Sequence, residues 1–213
     1  MAFELNDRIG ILQRYLDQLY RSTGRLVTLS VAELTTLAEL MTLHTYSRRE
    51  VMVRIGDHEP YLHFVITGLV RTYFFKGEEE VVTQLAKEGD LVGSTISFFS
   101  GKPSDYMVEA LEPSTMLSIP RAKMEQLYRY SIEINKLARV ILTDHLLQKE
   151  TWELVRLKYN IRERFLLFIE NNQELFLRVP QKYQASYLNI KPETFSRLKT
   201  QVTRRMHALS SDK

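Results

Sequence analysis

Residues Gln181 to Lys199 read QKYQASYLNIKPETFSRLK, and this stretch decides how the C-terminal part of the chain folds. Tyr183, Tyr187 and Leu188 recur at i, i+4 and i+5, so the spacing predicts a short helix with these residues on its inner face. Small Ala185 and Ser186 fall where a second helix must pass closely. Asn189 sits at the break. A bend residue there needs φ > 0, which Gly meets most easily and which Asn tolerates because its short amide can bond locally. Pro192 suits the first position of a new helix, since its missing N–H would be unsatisfied there, and Glu193 complements the positive helix end. Phe195 and Leu198 continue as the buried side, which turns Glu193, Thr194, Arg197 and Thr200 outward. Two short helices at a sharp bend make a helix-turn-helix, whose second member can offer donors and acceptors to DNA base edges.

The charge pattern agrees with that reading, although the overall net charge of +3 on 213 residues decides nothing. From Arg156 onward there are twelve Lys and Arg against five Asp and Glu, a net of +7, whereas residues 1–155 carry a net of −4. Lys182, Lys191, Arg197, Lys199, Arg204 and Arg205 cluster around the bend, where cations neutralise phosphates and release counterions. The chain contains no cysteine, which excludes disulfides, thiolate-held iron–sulfur clusters and Cys-type zinc sites. His44, His58, His63, His145 and His207 show no metal-ligand spacing, so no metal is expected. No apolar run approaches the roughly 20 residues that span a bilayer, and MAFELNDRIG lacks the pattern of a signal segment. The expectation is a cytoplasmic protein with no membrane partner.

Upstream, Leu5, Ile9, Leu12, Leu16 and Leu19 predict an amphipathic helix over about residues 4–21. Ser30 followed by Glu33 is a capping box that starts a second helix, running to about Thr42. From Leu43 to Pro120 the pattern becomes short Val-, Ile-, Thr-, Tyr- and Phe-rich runs separated by turn-prone groups, including GDHEP, KGEEE, KEGD and GKPSD. Such closely spaced strands suit a small antiparallel sandwich or jelly roll and leave no room for the crossovers of a parallel sheet. Helical spacing returns around Met124 and Leu127. It then runs from about Ile132 to Lys158, where Leu137, Val140, Ile141, Leu147, Leu154 and Val155 mark an apolar stripe interrupted by Asp144, Gln148 and Thr151. At about 1.5 Å per residue this helix is nearly 40 Å long, more than a small domain covers, so a symmetric dimer seam is expected along it. Asn160 to Glu170 adds one more helix and completes an expected three-helix terminal unit. The fold class is therefore α+β, with domains at 1–130 (helices and β roll), 131–158 (long dimerisation helix) and 159–213 (helix-turn-helix).

This order of parts resembles the Crp/Fnr family of bacterial transcription regulators over nearly the whole chain. The most specific pieces are GDLVGSTISFFSGKPSDYMVEAL, similar to the family's phosphate-binding cassette, and NIKPETFSRLK, similar to its turn and recognition helix. The resemblance implies a homodimeric, non-enzymatic regulator that binds double-stranded DNA, and it allows RNA polymerase as a further partner. It assigns base reading to Glu193 and Arg197, neighbouring contacts to Lys191 and Thr194, and a backbone contact to Gln181, with Lys199 adding phosphate affinity.

Several residues depart from the family pattern. Ser94 and Ser104 stand where cyclic-nucleotide binders of the family place a Glu for the ribose and an Arg for the cyclic phosphate. A hydroxyl cannot replace the charge-assisted fork of Arg, and Asp105 beside it would repel an anion. Gly93, Ser94 and Thr95 still offer small side chains and N–H groups, so the expected effector pocket comprises Gly93, Ser94, Thr95, Ser104 and Asp105. No cofactor is expected; the effector is another small molecule or none, and cAMP and cGMP are not expected to bind. Pro192 replaces an Arg that reads guanine in well-known members, so a different target sequence is implied. Only about a dozen residues follow Lys199, and no full β-hairpin wing is expected; Arg204 and Arg205 are expected to take over phosphate contacts. An enzyme is disfavoured, since no nucleophile elbow, P-loop or dinucleotide fingerprint appears. The alternative is a sensing or protein-interaction module of the same architecture with little DNA binding.

Overall fold

The computed structural model describes residues 5–211, with side chains in the last helix described as far as Val202. Helices α1 (Leu5–Thr23) and α2 (Val31–Leu40) lead into strands β1 (Thr42–Tyr46), β2 (Val51–Val53), β3 (Tyr61–Thr67), β4 (Val70–Lys76), β5 (Glu79–Ala86) and β6 (Leu91–Val92). A short helix α3 (Thr95–Ser100) precedes β7 (Met107–Ala110) and β8 (Ser114–Pro120). Helices α4 (Arg121–Tyr130), α5 (Ile132–Lys158), α6 (Ile161–Asn171), α7 (Gln173–Arg178), α8 (Gln181–Tyr187) and α9 (Pro192–Ser211) follow. The strands form two four-stranded sheets, ordered β1-β8-β3-β6 and β2-β7-β4-β5. The pairs β1–β8, β8–β3, β3–β6 and β2–β7 are antiparallel, as the roll expected from the short strands requires. The chain divides into two compact units, one of residues up to Thr72 with Ala86–Lys149, the other of Tyr73–Leu85 with the residues from Glu150 onward.

In the first unit, strand alternation separates two cores. Val65, Val92 and Met116 point into the roll with Val53, Val70, Ala86 and Val108, where Tyr46 and Met52 join them. Leu62, Phe64, Leu117 and Ile119 point the other way, onto Leu12 and Leu19 of α1, Leu34 and Leu37 of α2 and Leu127 of α4. The stripe of α1 is thus accounted for by burial, and α2 opens with the capping box expected at Ser30 and Glu33. Leu137, Val140 and Ile141 of α5 belong to this second core, so the first part of the apolar stripe packs inside its own unit. Further along, Leu146, Leu147, Leu154 and Leu157 are exposed.

In the second unit Asn160 caps α6 in a second capping box with Glu163. Phe165 and Phe168 of α6, Leu175 of α7, Ala185 and Leu188 of α8 and Phe195 and Leu198 of α9 are buried. The Phe165 ring meets those of Phe176 and Phe195 edge-on, at 6.3 and 5.2 Å. The terminal unit therefore has four helices where three were expected. The extra one, α7, is only six residues long, too short for its periodicity to register. Among the described residues no strand follows α9, which stays helical to Ser211.

Candidate nucleic-acid interface and cassette

The bend at Asn189 is built as its sequence requires. Asn189 has φ 53°, and the turn is closed by Asn189 N–H donating to Ser186 O at 2.9 Å and Ile190 N–H to Ala185 O at 3.0 Å. The inner face of α8 differs from the expected one: Gln184, Ala185 and Leu188 are buried, while Tyr183 and Tyr187 are only half-buried. Gln184 is tolerated inside because its Nε2 donates to Phe176 O (3.0 Å) and Val179 O (2.6 Å), carbonyls at the end of α7 that have no helical partner. Tyr187 lies flat on Trp152 of α5, ring centroids 4.5 Å apart. Ser186, expected merely to be small, bridges to β5: Val82 N–H donates to its Oγ at 2.9 Å, and the hydroxyl donates to Glu80 O at 2.8 Å. A side chain of either Ser or Ala satisfies the helical pattern, so nothing in the spacing revealed that role.

On α9 the aromatic and aliphatic side faces inward through Phe195 and Leu198, which leaves Lys191, Glu193 and Arg197 exposed and Thr194 partly so. Glu193 and Arg197 are one helical turn apart and no ion pair joins them among the described residues, so both tips are available to an external partner. Gln181 is exposed at the first position of α8. Lys199, like Thr194, is half-buried, and its Nζ lies 5.0 Å above the Phe176 ring. The side chains of Arg204 and Arg205, expected to contact phosphates, lie outside the described residues. No group of three or more His, Asp and Glu among the described residues could hold a metal ion, and no described helix is long and apolar enough to cross a membrane.

In the cassette Gly93 has φ 134°, a conformation L side chains rarely adopt, and it brings Ser94, buried, to the start of α3. Ser104 is also buried, and its hydroxyl donates to Ser94 Oγ at 2.7 Å. The two positions expected to face an effector therefore bond to each other. Thr95 Oγ1 is 3.5 Å from Lys149 Nζ. Asp105 is exposed, so its charge is solvated and the expected repulsion inside the cassette does not come from it. A buried carboxylate lies against Gly93 and Ser94, that of Glu59, which belongs to the turn-prone group GDHEP; a second, Glu109, is paired with buried Arg71. Glu59 Oε2 accepts from Ser94 N–H at 3.3 Å, its Oε1 accepts from Tyr61 N–H at 3.1 Å, and His63 Nε2 lies 3.5 Å away. Ser118 Oγ then contacts His63 Nδ1 (2.7 Å) and His44 Nδ1 (3.0 Å). Burial, and secondarily the neighbouring His63, holds the His44 pKa below its ordinary value.

Residues 43–131, which include the roll, match the cyclic nucleotide-binding domain family. A global nitrogen regulator from Nostoc sp. is 27% identical over 111 residues, and that match spans about half of each protein, 51% of this chain and 49% of the relative. Among solved structures, FixK2 from Bradyrhizobium japonicum superposes with a TM-score of 0.68 at 19% identity, covering 78% of this chain and 85% of its own. The c-di-GMP-responsive global regulator CLP of Xanthomonas campestris gives 0.65 at 16%, covering 83% and 93%. A CRP/FNR family transcriptional regulator from Thermus thermophilus gives 0.61 at 15%, covering 77% and 87%. These solved structures share the fold of the chain, from the leading helices through the roll to the terminal helices.

Proposed function

We propose that this protein is a homodimeric, sequence-specific DNA-binding transcription regulator. The observation that carries the reading is the α9 edge: Glu193 and Arg197 exposed on a helix whose other side is fixed by buried Phe195 and Leu198, with Lys191 exposed just before its first residue. A recognition helix needs this division, with an anchored apolar back and donors and acceptors aimed into the major groove. Arg197 would pair with guanine, Glu193 would accept from cytosine, and Lys191 and Gln181 would position the unit on phosphates. Exposed Leu146, Leu147, Leu154 and Leu157 on α5 suit a two-fold partner helix, which would place two α9 edges in successive grooves. RNA polymerase would be met by the DNA-bound dimer. Because the Ser94 and Ser104 hydroxyls bond each other in place of a charged fork, cAMP and cGMP are not the effectors in this reading.

Titration of duplex DNA at several salt concentrations tests it. Binding should weaken steeply and linearly in log salt, with Lys191→Ala lowering affinity for all sequences and flattening the slope by about one. Arg197→Ala should instead shrink the preference for the cognate duplex by about 1–3 kcal/mol. Salt-insensitive or undetectable binding at micromolar protein would favour the interaction-module reading.

A further inference from the structure

The segment from Gly56 to Glu59 is laced onto the cassette along its length. Gly56 N–H donates to Ser104 O (2.8 Å), Ser104 N–H to Asp57 O (2.7 Å) and Glu59 N–H to Ser97 Oγ (3.0 Å), while His58 Nδ1 lies 3.1 Å from Gly101 O. This lacing delivers the Glu59 side chain, 1% exposed, against Gly93 and Ser94. The approach is close enough that a Cβ on Gly93 would meet Glu59 Oε2 at 3.2 Å. Burying a carboxylate this deeply is unfavourable unless its oxygens are satisfied. Here both oxygens have N–H partners, from Ser94 and Tyr61, and His63 Nε2 lies 3.5 Å from Oε1.

We propose that Glu59 is the resident anion of the cassette: the roll carries a tethered carboxylate on the donors that an external anion would otherwise use. An entering phosphate or carboxylate would have to eject Glu59, break the lacing and face a like charge in the same space. The domain is therefore held in one arrangement by its own chain, and it selects against anionic effectors whatever α9 binds.

Chemical rescue tests this on the full chain. Glu59→Ala leaves the donors without an acceptor, so its Tm should fall and then rise with the logarithm of added sodium formate. The gain should be roughly 3–5 °C for each tenfold rise in formate above its Kd, beyond that given by sodium chloride at equal ionic strength. Wild-type protein should gain nothing from formate over chloride. Equal responses of the two proteins would overturn the proposal. Should Glu59→Ala not accumulate folded, Glu59→Gln provides an independent reading, because the carboxamide keeps the shape but accepts with only one of its two atoms. Amide hydrogen exchange at Ser94 or Tyr61 should then be at least about tenfold faster than in wild type, and unchanged rates at both would equally overturn it.

Discussion

Asn189 shows how much one residue can fix. Its φ of 53° is the value the bend demands, and Gly reaches it without the steric cost that any β-branched side chain incurs. Asn189→Gly should therefore leave stability within about 0.5 kcal/mol, whereas Asn189→Val should cost about 1–2 kcal/mol, both read from urea unfolding. His145 on α5 supplies a pH-dependent counterpart. Burial, with Lys149 adding to it, pushes the His145 pKa down from 6.5 to about 4. Between those values the unfolded chain takes up a proton that the folded protein refuses, so stability falls as pH drops through the window and levels off below it. The loss should reach about 1–3 kcal/mol and should be smaller in His145→Gln, measured as the difference in unfolding free energy between pH 7 and pH 4.5. His44 shifts in the same direction, which is why the wild-type-to-variant difference, rather than the wild-type curve, isolates His145. At this scale the sequence was legible where backbone conformation alone decided, as at Asn189 and Pro192. It was not legible where a polar side chain finds a distant partner. The burial of Gln184 depends on two carbonyls at the end of α7, and that of Glu59 on Ser94, Tyr61 and His63.

Helix starts were the most readable elements. Ser30 and Glu33 satisfy each other's backbone N–H, as Asn160 and Glu163 do for α6, and both boxes are local in sequence. Ser30→Ala should cost about 1 kcal/mol of stability, seen as a lower urea midpoint with unchanged slope. The long helix α5 spans Ile132–Lys158 as its periodicity implies, but periodicity could not divide its stripe between partners. Leu137, Val140 and Ile141 pack against α1, α2 and α4 in their own unit, and the leucines from Leu146 onward are exposed. A stripe records that a side chain is apolar, not which surface covers it. Short elements were least readable: α7 and β6 are too brief to show a period, and β6 holds its place through His63 and Phe64 of β3.

For the molecule as a whole, the proposed function requires two α9 edges acting together. A monomer presenting only one such edge would read too few base pairs to select a site, whereas a two-fold pair reads a near-palindrome with half-sites about one helical turn apart. Selection from a random duplex library by the full-length protein tests this most directly. The account predicts enrichment of a two-fold symmetric sequence with half-site centres about 10 base pairs apart, an enrichment weakened by Arg197→Ala. A pool that stays random, or that converges on an asymmetric site indifferent to Arg197, would contradict it.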